Sequence, residues 1–203
     1  MIAGGQSLLI ILRQRLITPK YLIDIKGVSE LDYIKFDEKE GLKIGALTTH
    51  RSVEKSPIIQ KECAVLSEME GNLSNVETRN WGTFGGDIAH SDPCGDPVPV
   101  LIALNAKLKM AGSGGERVVE AEDFVTDFFE TVLGHDELLT EIQVPVLPPN
   151  TGVKFTKFNN IVGDLALASV AMSITLDKNK KTCSDVRIAL GGVAPAPMRA
   201  KNA

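Results

Sequence analysis

The sequence has little cysteine, no excess of positive charge and no long hydrophobic run, and each of these scarcities excludes a class of protein. Its three cysteines, Cys63, Cys94 and Cys183, are widely spaced, with no CxxC pair among them. An odd number of scattered thiols cannot make a complete disulfide framework, and they lack the ligand spacing of zinc ribbons and iron–sulfur clusters. We therefore expect reduced thiols in a cytoplasmic protein.

Membrane proteins and nucleic-acid binders are disfavoured for similar reasons. The apolar run at residues 8–12 is far shorter than the ~20 residues that span a bilayer, and the first residues have none of the features of a secretory signal. The formal net charge is −4, from 22 basic and 26 acidic residues. A protein that binds nucleic acid electrostatically usually concentrates positive charge on one face. The sequence thus predicts neither a membrane span nor a nucleic-acid partner.

Strands and helices are predicted from the spacing of apolar residues. Alternation at period two predicts hairpins over residues 31–46 and 106–119 and an antiparallel sheet within residues 153–190. Helices are expected after the Thr48-Thr49-His50 cap, over residues 57–73, and from residue 98, where Pro99 is allowed only in the first turn. Residues 21–25 are expected to form a short buried strand. Strands that are segregated from helices indicate an α+β protein.

Residues 74–96 break this pattern, because apolar periodicity disappears and short polar side chains crowd together. A long polar stretch inside a folded domain is typical of a functional loop, which is our expectation here. A domain boundary is expected near residue 150, at Pro148-Pro149-Asn150. Both ends of the chain look cut, since the glycine turn at residue 3 has almost no strand before it and a new segment begins at residue 198.

Two glycine-rich stretches could approach an anionic ligand. In the first, Gly4-Gly5 lets the backbone come close to a ligand, and successive N–H groups at such a turn form an anion nest, so phosphate binding is expected. The second, at residues 81–96, contains Gly85-Gly86 and three acids that could accept hydrogen bonds from ribityl or ribose hydroxyls. The alternatives are a simple turn for the first stretch and a complex connection for the second. Neither is a Walker loop, since no Gly-Lys-Ser/Thr follows.

The histidines offer weaker hypotheses. His90 and Asp92 suggest an acid–base pair or a metal site, but His50, His90 and His135 are far apart and lack partners at i, i+4. Hydrogen-bonded or solvated histidines are the better interpretation. A serine hydrolase is disfavoured because there is no Gly-x-Ser-x-Gly elbow. We therefore predict no metal ligand among the histidines.

These stretches together resemble the FAD-binding (medium) subunit of the molybdenum hydroxylases, of the carbon monoxide dehydrogenase and xanthine dehydrogenase type. The similarity runs along nearly the whole chain. Its most specific string is Arg79-Asn80-Trp81-Gly82-Thr83-Phe84-Gly85-Gly86-Asp87, with Asp92-Pro93 and Asp96 after it. Supporting segments are residues 3–9, 22–25, 44–49, 136–145 and 163–166.

The resemblance implies a fold and a domain organisation. The expected fold is α+β, an FAD-binding domain of the vanillyl-alcohol-oxidase (PCMH) type in two subdomains, followed by the start of a C-terminal α+β domain. Residues 1–150 would form the FAD-binding domain and residues 151–203 the start of the C-terminal domain. The family's N-terminal strand before Ala3 and most of its C-terminal domain would be missing.

The resemblance also implies a set of FAD-binding residues. The first turn would hold the diphosphate, the second would pack on the diphosphate and ribityl chain, and further side chains would contact other polar or ring parts of the cofactor. The implied residues are Ala3, Gly4, Gly5, Gln6, Ser7, Leu8, Thr83, Gly85, Gly86, Asp87, His90, Asp92, Asp96, Leu138, Leu139 and Lys157. Relatives commonly have Asn at the position of Asp87, and an acid there would repel a diphosphate unless it faces a hydroxyl or an amide.

The implied function is electron transfer within a molybdenum-containing hydroxylase or dehydrogenase. An iron–sulfur small subunit would pass electrons to FAD on this chain, a molybdopterin large subunit would oxidise the substrate, and an external acceptor would take the electrons. Two alternatives stay open. One is a related scaffold subunit that no longer binds FAD, and the other is a free-standing flavin oxidase.

Overall fold

Helices fill most of the first half of the chain and strands the second. The computed structural model describes residues 1–202, so Ala203, the last residue of the predicted second domain, lies outside the described residues. The helices are α1 (Leu8–Arg13), α2 (His50–Lys55), α3 (Pro57–Glu62), α4 (Ala64–Gly71), α5 (Val76–Trp81), α6 (Phe84–His90) and α7 (Pro97–Ala103). The strands are β1 (Ile34–Asp37), β2 (Gly41–Gly45), β3 (Lys107–Gly112), β4 (Gly115–Glu120), β5 (Val125–Asp127), β6 (Glu130–Thr131), β7 (Leu138–Val144), β8 (Thr151–Phe158), β9 (Ala168–Leu176), β10 (Cys183–Gly191) and β11 (Met198–Arg199).

The larger sheet joins strands that are distant in sequence. Within residues 1–202 its order is β1-β2-β7-β3-β4, with antiparallel pairs throughout. Strand β7 lies at the centre, where Ile142 is opposite Ile44 on one side and Leu108 on the other. All three side chains are fully buried. This row of branched side chains fixes the register, because a slip by one residue would turn them away from the core.

The smaller sheet packs on the proline-rich helix α7. Its order in the described chain is β11-β10-β9-β8, again antiparallel. Every residue of α7 is buried, and the helix contacts β9 and β10, whose Ala171 and Ala189 belong to the same apolar cluster as Leu101. Among residues 1–202, no helix has both the length and the apolar character that crossing a membrane requires.

Short polar side chains start the helices of the first half. Thr49, Ser56, Asn75 and Thr83 each accept a hydrogen bond from a backbone N–H in the first turn of the helix that follows. Such N-caps satisfy donors that a helix leaves free, and each is worth ~1 kcal/mol. The predicted hairpins, the α2 cap, the α7 start and the second sheet are confirmed by these elements.

Three expectations about local structure are wrong. Residues 74–96 are mostly helical, in α5 and α6, because capped helices of six or seven residues are too short to show apolar periodicity. Residues 57–73 form two helices, since the chain breaks at Cys63 (φ −153°, ψ 62°). Residues 21–25 are not a buried strand: Tyr21 is 86% exposed, and the segment is tied to the chain start by an isolated bridge between Ile2 and Asp24.

Candidate functional site

A cavity of about 670 Å³ opens between the two glycine-rich stretches. Its size suits an organic ligand, since such pockets are typically ~300–1,000 Å³. The first turn and the start of α6 form two of its walls, and parts of β7, β8 and the loop after β8 complete it. The cavity thus brings together segments that are more than 150 residues apart in sequence, from residue 1 to residue 165.

The two glycine turns pack backbone against backbone. A Cβ placed on Gly4 would lie 2.5 Å from the Trp81 carbonyl oxygen and 2.6 Å from Gly82 Cα. A Cβ on Gly85 would similarly lie 2.5 Å from Ala46 Cβ, just after β2. Real Cβ atoms do not approach so closely, so these two glycines are required by the packing of the walls. Gly4 thus lets the first turn contact the second stretch, and Gly85 lets α6 contact the end of β2.

Backbone donors of the first turn are free to bind a ligand. Within the described chain, no protein group accepts a hydrogen bond from the N–H groups of Gly4, Gly5, Gln6 or Ser7, all of which line the cavity. Buried or half-buried N–H groups are nearly always paired in native proteins, with protein, water or ligand. Adjacent free N–H groups form a concavity that favours an anion.

The second turn has already used its backbone donors. Gly85 N donates to Ala46 O (2.9 Å), Gly86 N to the Thr83 hydroxyl (3.2 Å) and Asp87 N to Thr83 O (3.0 Å). These bonds start α6 and fasten it to the end of β2. The second turn is therefore a close, side-chain-poor wall, whereas the first turn is the anion donor.

A buried ion pair joins this wall to the second sheet. Lys157 Nζ, on β8, lies 2.6 Å from Asp96 Oδ2, and their side chains are 9% and 4% exposed. Burial raises the pKa of Asp96, although the hydrogen bond and charge of Lys157 oppose this. The other oxygen, Oδ1, is buried and finds no donor among the described residues. That oxygen can accept a hydrogen bond from a ligand hydroxyl.

A second buried pair lies beneath α6. His50 Nδ1 donates to Glu70 Oε2 at 2.8 Å, and His50 Nε2 lies 3.9 Å from Asp87 Oδ2. Burial alone would lower the pKa of His50, but the charge and hydrogen bond of Glu70, with the charge of Asp87, raise it to about 9. His50 is therefore an imidazolium at neutral pH.

With one exception, the residues that the resemblance implied all line the cavity. The lining includes Ala3, Gly4, Gly5, Gln6, Ser7, Leu8, Thr83, Gly85, Gly86, Asp87, His90, Asp96, Leu138, Leu139 and Lys157. The exception is Asp92, whose Oδ1 accepts a hydrogen bond from Cys94 N (2.9 Å) and so closes a turn. Short acids after a helix often make such turns, and sequence alone does not separate them from ligand contacts.

Several residues that line the cavity were not among the residues predicted from the sequence. His50, Leu73, Ser74, Glu137 and Asp164 also line the cavity. The position of Ser74 depends on tertiary contacts that the sequence does not show. Arg79 Nη1 donates to the carbonyls of Leu73 (2.6 Å) and Ser74 (3.1 Å) and holds them at the cavity. The Gly163-Asp164 pair belonged to the resemblance and was the one available signal for the loop after β8.

The cavity fits FAD on its own chemistry. The free N–H groups of the first turn suit an anionic diphosphate, and Asp96 Oδ1 suits a hydroxyl group. Apolar side chains such as Leu138 and Leu139 offer a surface for a ring. An extended ligand with a diphosphate, hydroxyls and a flat ring system matches this distribution.

Comparison with known proteins agrees with this interpretation. Residues 1–147 match the family model described as the FAD binding domain in molybdopterin dehydrogenase. Residues 154–203 match the CO dehydrogenase flavoprotein C-terminal domain. The predicted α+β fold is confirmed by a solved carbon monoxide dehydrogenase from Hydrogenophaga pseudoflava, with a TM-score of 0.94 at 37% identity, covering 98% of this chain and 69% of that one.

Sequence relatives point the same way. The chain is 38% identical to the glyceraldehyde dehydrogenase medium chain of Sulfolobus acidocaldarius, over 98% of this chain and 69% of that one. It is 37% identical to the carbon monoxide dehydrogenase medium chain of Hydrogenophaga pseudoflava, over 98% of this chain and 68% of that one. With its two family matches, the chain belongs to the FAD-binding medium subunits of the molybdenum hydroxylases of the carbon monoxide dehydrogenase type.

Proposed function

We propose that this chain carries electrons from an iron–sulfur small subunit, through FAD, to an external acceptor. In this proposal a molybdopterin large subunit of the same enzyme oxidises the substrate. FAD supplies the redox chemistry when bound, and the protein supplies binding, orientation and electrostatics. The relatives are themselves medium chains of dehydrogenases, which supports a role as one chain of several.

The observation that carries the proposal is the row of free N–H groups on the first turn, which lines the same cavity as the start of α6. We assign the FAD diphosphate to Gly4, Gly5, Gln6 and Ser7, with Ala3 and Leu8 flanking them. Thr83, Gly85, Gly86 and Asp87 form the facing wall, and His90 continues it. Asp96, held by Lys157, accepts from a hydroxyl, and Leu138 and Leu139 contact a ring. Asp92 is left out of this assignment because its carboxylate closes a turn.

The division of labour along the chain is part of the proposal. Residues 1–150 would form the FAD-binding domain and residues 151–203 the start of the C-terminal domain, which contributes Lys157 to the site. We place the protein in the cytoplasm, where reduced thiols and a molybdopterin partner fit its chemistry. Substrate choice belongs to the large subunit, so the chain itself needs no catalytic acid or base.

Electron transfer predicts that the flavin works only within an assembly. Loaded with FAD, the isolated chain should oxidise no aldehyde, carbon monoxide or xanthine-like substrate. Co-expressed with the iron–sulfur and molybdopterin subunits, it should co-purify with them, and substrate should bleach its yellow flavin absorbance. The control is the same assembly without the iron–sulfur subunit, in which substrate should leave the flavin oxidised.

Each rival function gives a different result. A scaffold subunit would co-purify with its partners but contain no flavin and take up none when FAD is added. A free-standing oxidase would turn over substrate as an isolated chain with FAD as its one cofactor. Either result would contradict the electron-transfer proposal.

A further inference from the structure

A buried imidazole lies between two carboxylates directly behind the second glycine turn. His50 is 4% exposed and Glu70 is fully buried, and the Glu70 contact at Nδ1 lies on the opposite side of the ring from Asp87. The backbone N–H of His50 donates to Gly82 O (3.1 Å), and a Cβ on Gly82 would lie 2.9 Å from His50 Cδ2. The ring is therefore fastened to the turn that forms the cavity wall.

The charges around His50 come from four helices or their ends. Glu70 on α4 and Asp87 on α6 attract a proton to the ring, Arg79 on α5 opposes it, and Asp96 before α7 is a more distant acid. The Phe84 ring meets the imidazole edge-on at a centroid distance of 6.3 Å. Because an acid faces each ring nitrogen, the doubly protonated imidazolium satisfies both sides, in line with its pKa of about 9.

Asp87 is the acid that this arrangement has to accommodate. Its side chain is 22% exposed and lines the cavity that we assign to an anionic cofactor. Burial and the charge of Asp92 raise the pKa of Asp87, whereas the charges of His50, His90 and Lys157 oppose that rise. Of these three groups, His50 makes the ion-pair contact with Asp87 within the described chain, with 3.9 Å between His50 Nε2 and Asp87 Oδ2.

We propose that His50 is a positioning residue for FAD. It acts by neutralising Asp87 at the buried edge of the cavity, while Glu70 holds the imidazole in place. Asp87 can then face a cofactor hydroxyl without repelling the diphosphate. Glu70 lies on the far side of the ring, so the nearer imidazolium dominates the field at Asp87. This inference rests on the proposed placement of FAD in the cavity.

A double-mutant cycle separates this role from a merely structural one. His50→Gln should weaken FAD binding to the apoprotein about 10- to 100-fold, the scale expected for losing a close opposite charge at a partly buried site. In an Asp87→Asn background the same substitution should change affinity less than about threefold, because no acid remains to be neutralised. Affinity is measured by quenching of flavin fluorescence, with no need for partner subunits.

His50→Gln leaves Glu70 buried without a countercharge and could unfold the chain, so a second variant is needed. His50→Gln/Glu70→Gln replaces the ion pair by two amides that can hydrogen-bond to each other. We expect this variant to fold, as judged by circular dichroism, and to lose FAD affinity with Asp87 present but not with Asp87→Asn. The matched control is Glu68→Gln, an exposed acid on the same helix, which should bind FAD normally.

The pH profile provides an independent readout. In the wild-type chain FAD affinity should be constant near neutral pH and fall as pH rises through about 9, where His50 loses the proton that lies beside Asp87. The two-amide variant should lack this fall. The chain has three histidines, so the imidazole resonances can be followed directly by NMR.

The outcomes are distinct. Energetic coupling between positions 50 and 87 in FAD binding supports the inference. So does a fall of FAD affinity at alkaline pH that the wild type shows and the two-amide variant lacks. If the wild-type chain binds FAD but substitution of His50 weakens FAD binding equally with Asp87 and with Asp87→Asn, this inference alone is overturned. If the wild-type chain binds no FAD, both the site assignment and the inference are overturned.

Discussion

Gly4→Ala is expected to weaken FAD binding by up to about 100-fold. The added Cβ would meet the Trp81 carbonyl oxygen at 2.5 Å, Gly82 Cα at 2.6 Å and Thr83 N at 2.8 Å, so it collides with backbone that has no rotamer to change. Overpacking of this kind typically costs ~1–3 kcal/mol, and the upper end corresponds to a loss of about 100-fold in affinity. The two turns must separate, and the walls of the cavity separate with them.

The measurement is a titration of apoprotein with FAD, followed by flavin fluorescence, beside a thermal unfolding curve. Gly27→Ala is the matched control, because no atom of residues 1–202 lies within 4 Å of a Cβ at Gly27. It should bind FAD as the wild type does. If Gly4→Ala retains wild-type affinity with an unchanged melting temperature, the close packing of the two turns is not what forms the site.

Lys157→Met should give the largest loss of stability. The Lys157–Asp96 pair is buried on both sides, and removing one partner of a buried pair leaves an uncompensated charge that costs ~3–5 kcal/mol. The loss should depend on pH. Burial already raises the pKa of Asp96, and without Lys157 that pKa rises further, so acid lets Asp96 take a proton and become neutral. The free energy of unfolding should therefore fall more at pH 8 than at pH 5.

Lys154→Met is the control for burial. Lys154 is on the same strand and pairs with Glu68 at 2.8 Å, but the two side chains are 67% and 59% exposed. An exposed pair contributes ~0–1 kcal/mol, so this variant should unfold at nearly the wild-type urea concentration. Equal losses for the two lysines, or a loss at Lys157 that does not change with pH, would contradict the role of the buried pair.

Regular alternation made much of the sheet structure predictable. Ile44, Leu108 and Ile142 fall on one face of the larger sheet, and buried side chains alternate with less buried ones along β9. The hairpins and sheets could therefore be predicted from apolar residues at every second position. The helical nature of residues 76–90 was not predictable in this way. There, Asn75 and Thr83 start helices through single side-chain hydrogen bonds, and Gly85-Gly86 has low helix propensity.

The site was predicted from resemblance more than from physical pattern. The string from Arg79 to Asp87 and the Gly4-Gly5 turn identified the two walls, but no local signal showed which wall retains free N–H groups. The His50–Glu70 contact joins residues 20 positions apart on separate helices, and such a pairing depends on tertiary packing. Asp92 lies in a motif that matches the family, but its carboxylate accepts a hydrogen bond within its own turn. A motif match therefore does not by itself show that a side chain contacts the ligand.

The most direct test of the account is to follow the backbone amides of the first turn while FAD is added to the isotopically labelled chain. We expect one FAD per chain, with the amide resonances of Gly4, Gly5, Gln6 and Ser7 shifting to saturation and those of Gly85 and Gly86 moving less. Adenosine diphosphate should produce the same pattern in the first turn at higher concentration. FAD binding that leaves the Gly4–Ser7 amides unmoved, or no FAD binding at all, would contradict the assignment of the diphosphate to this turn.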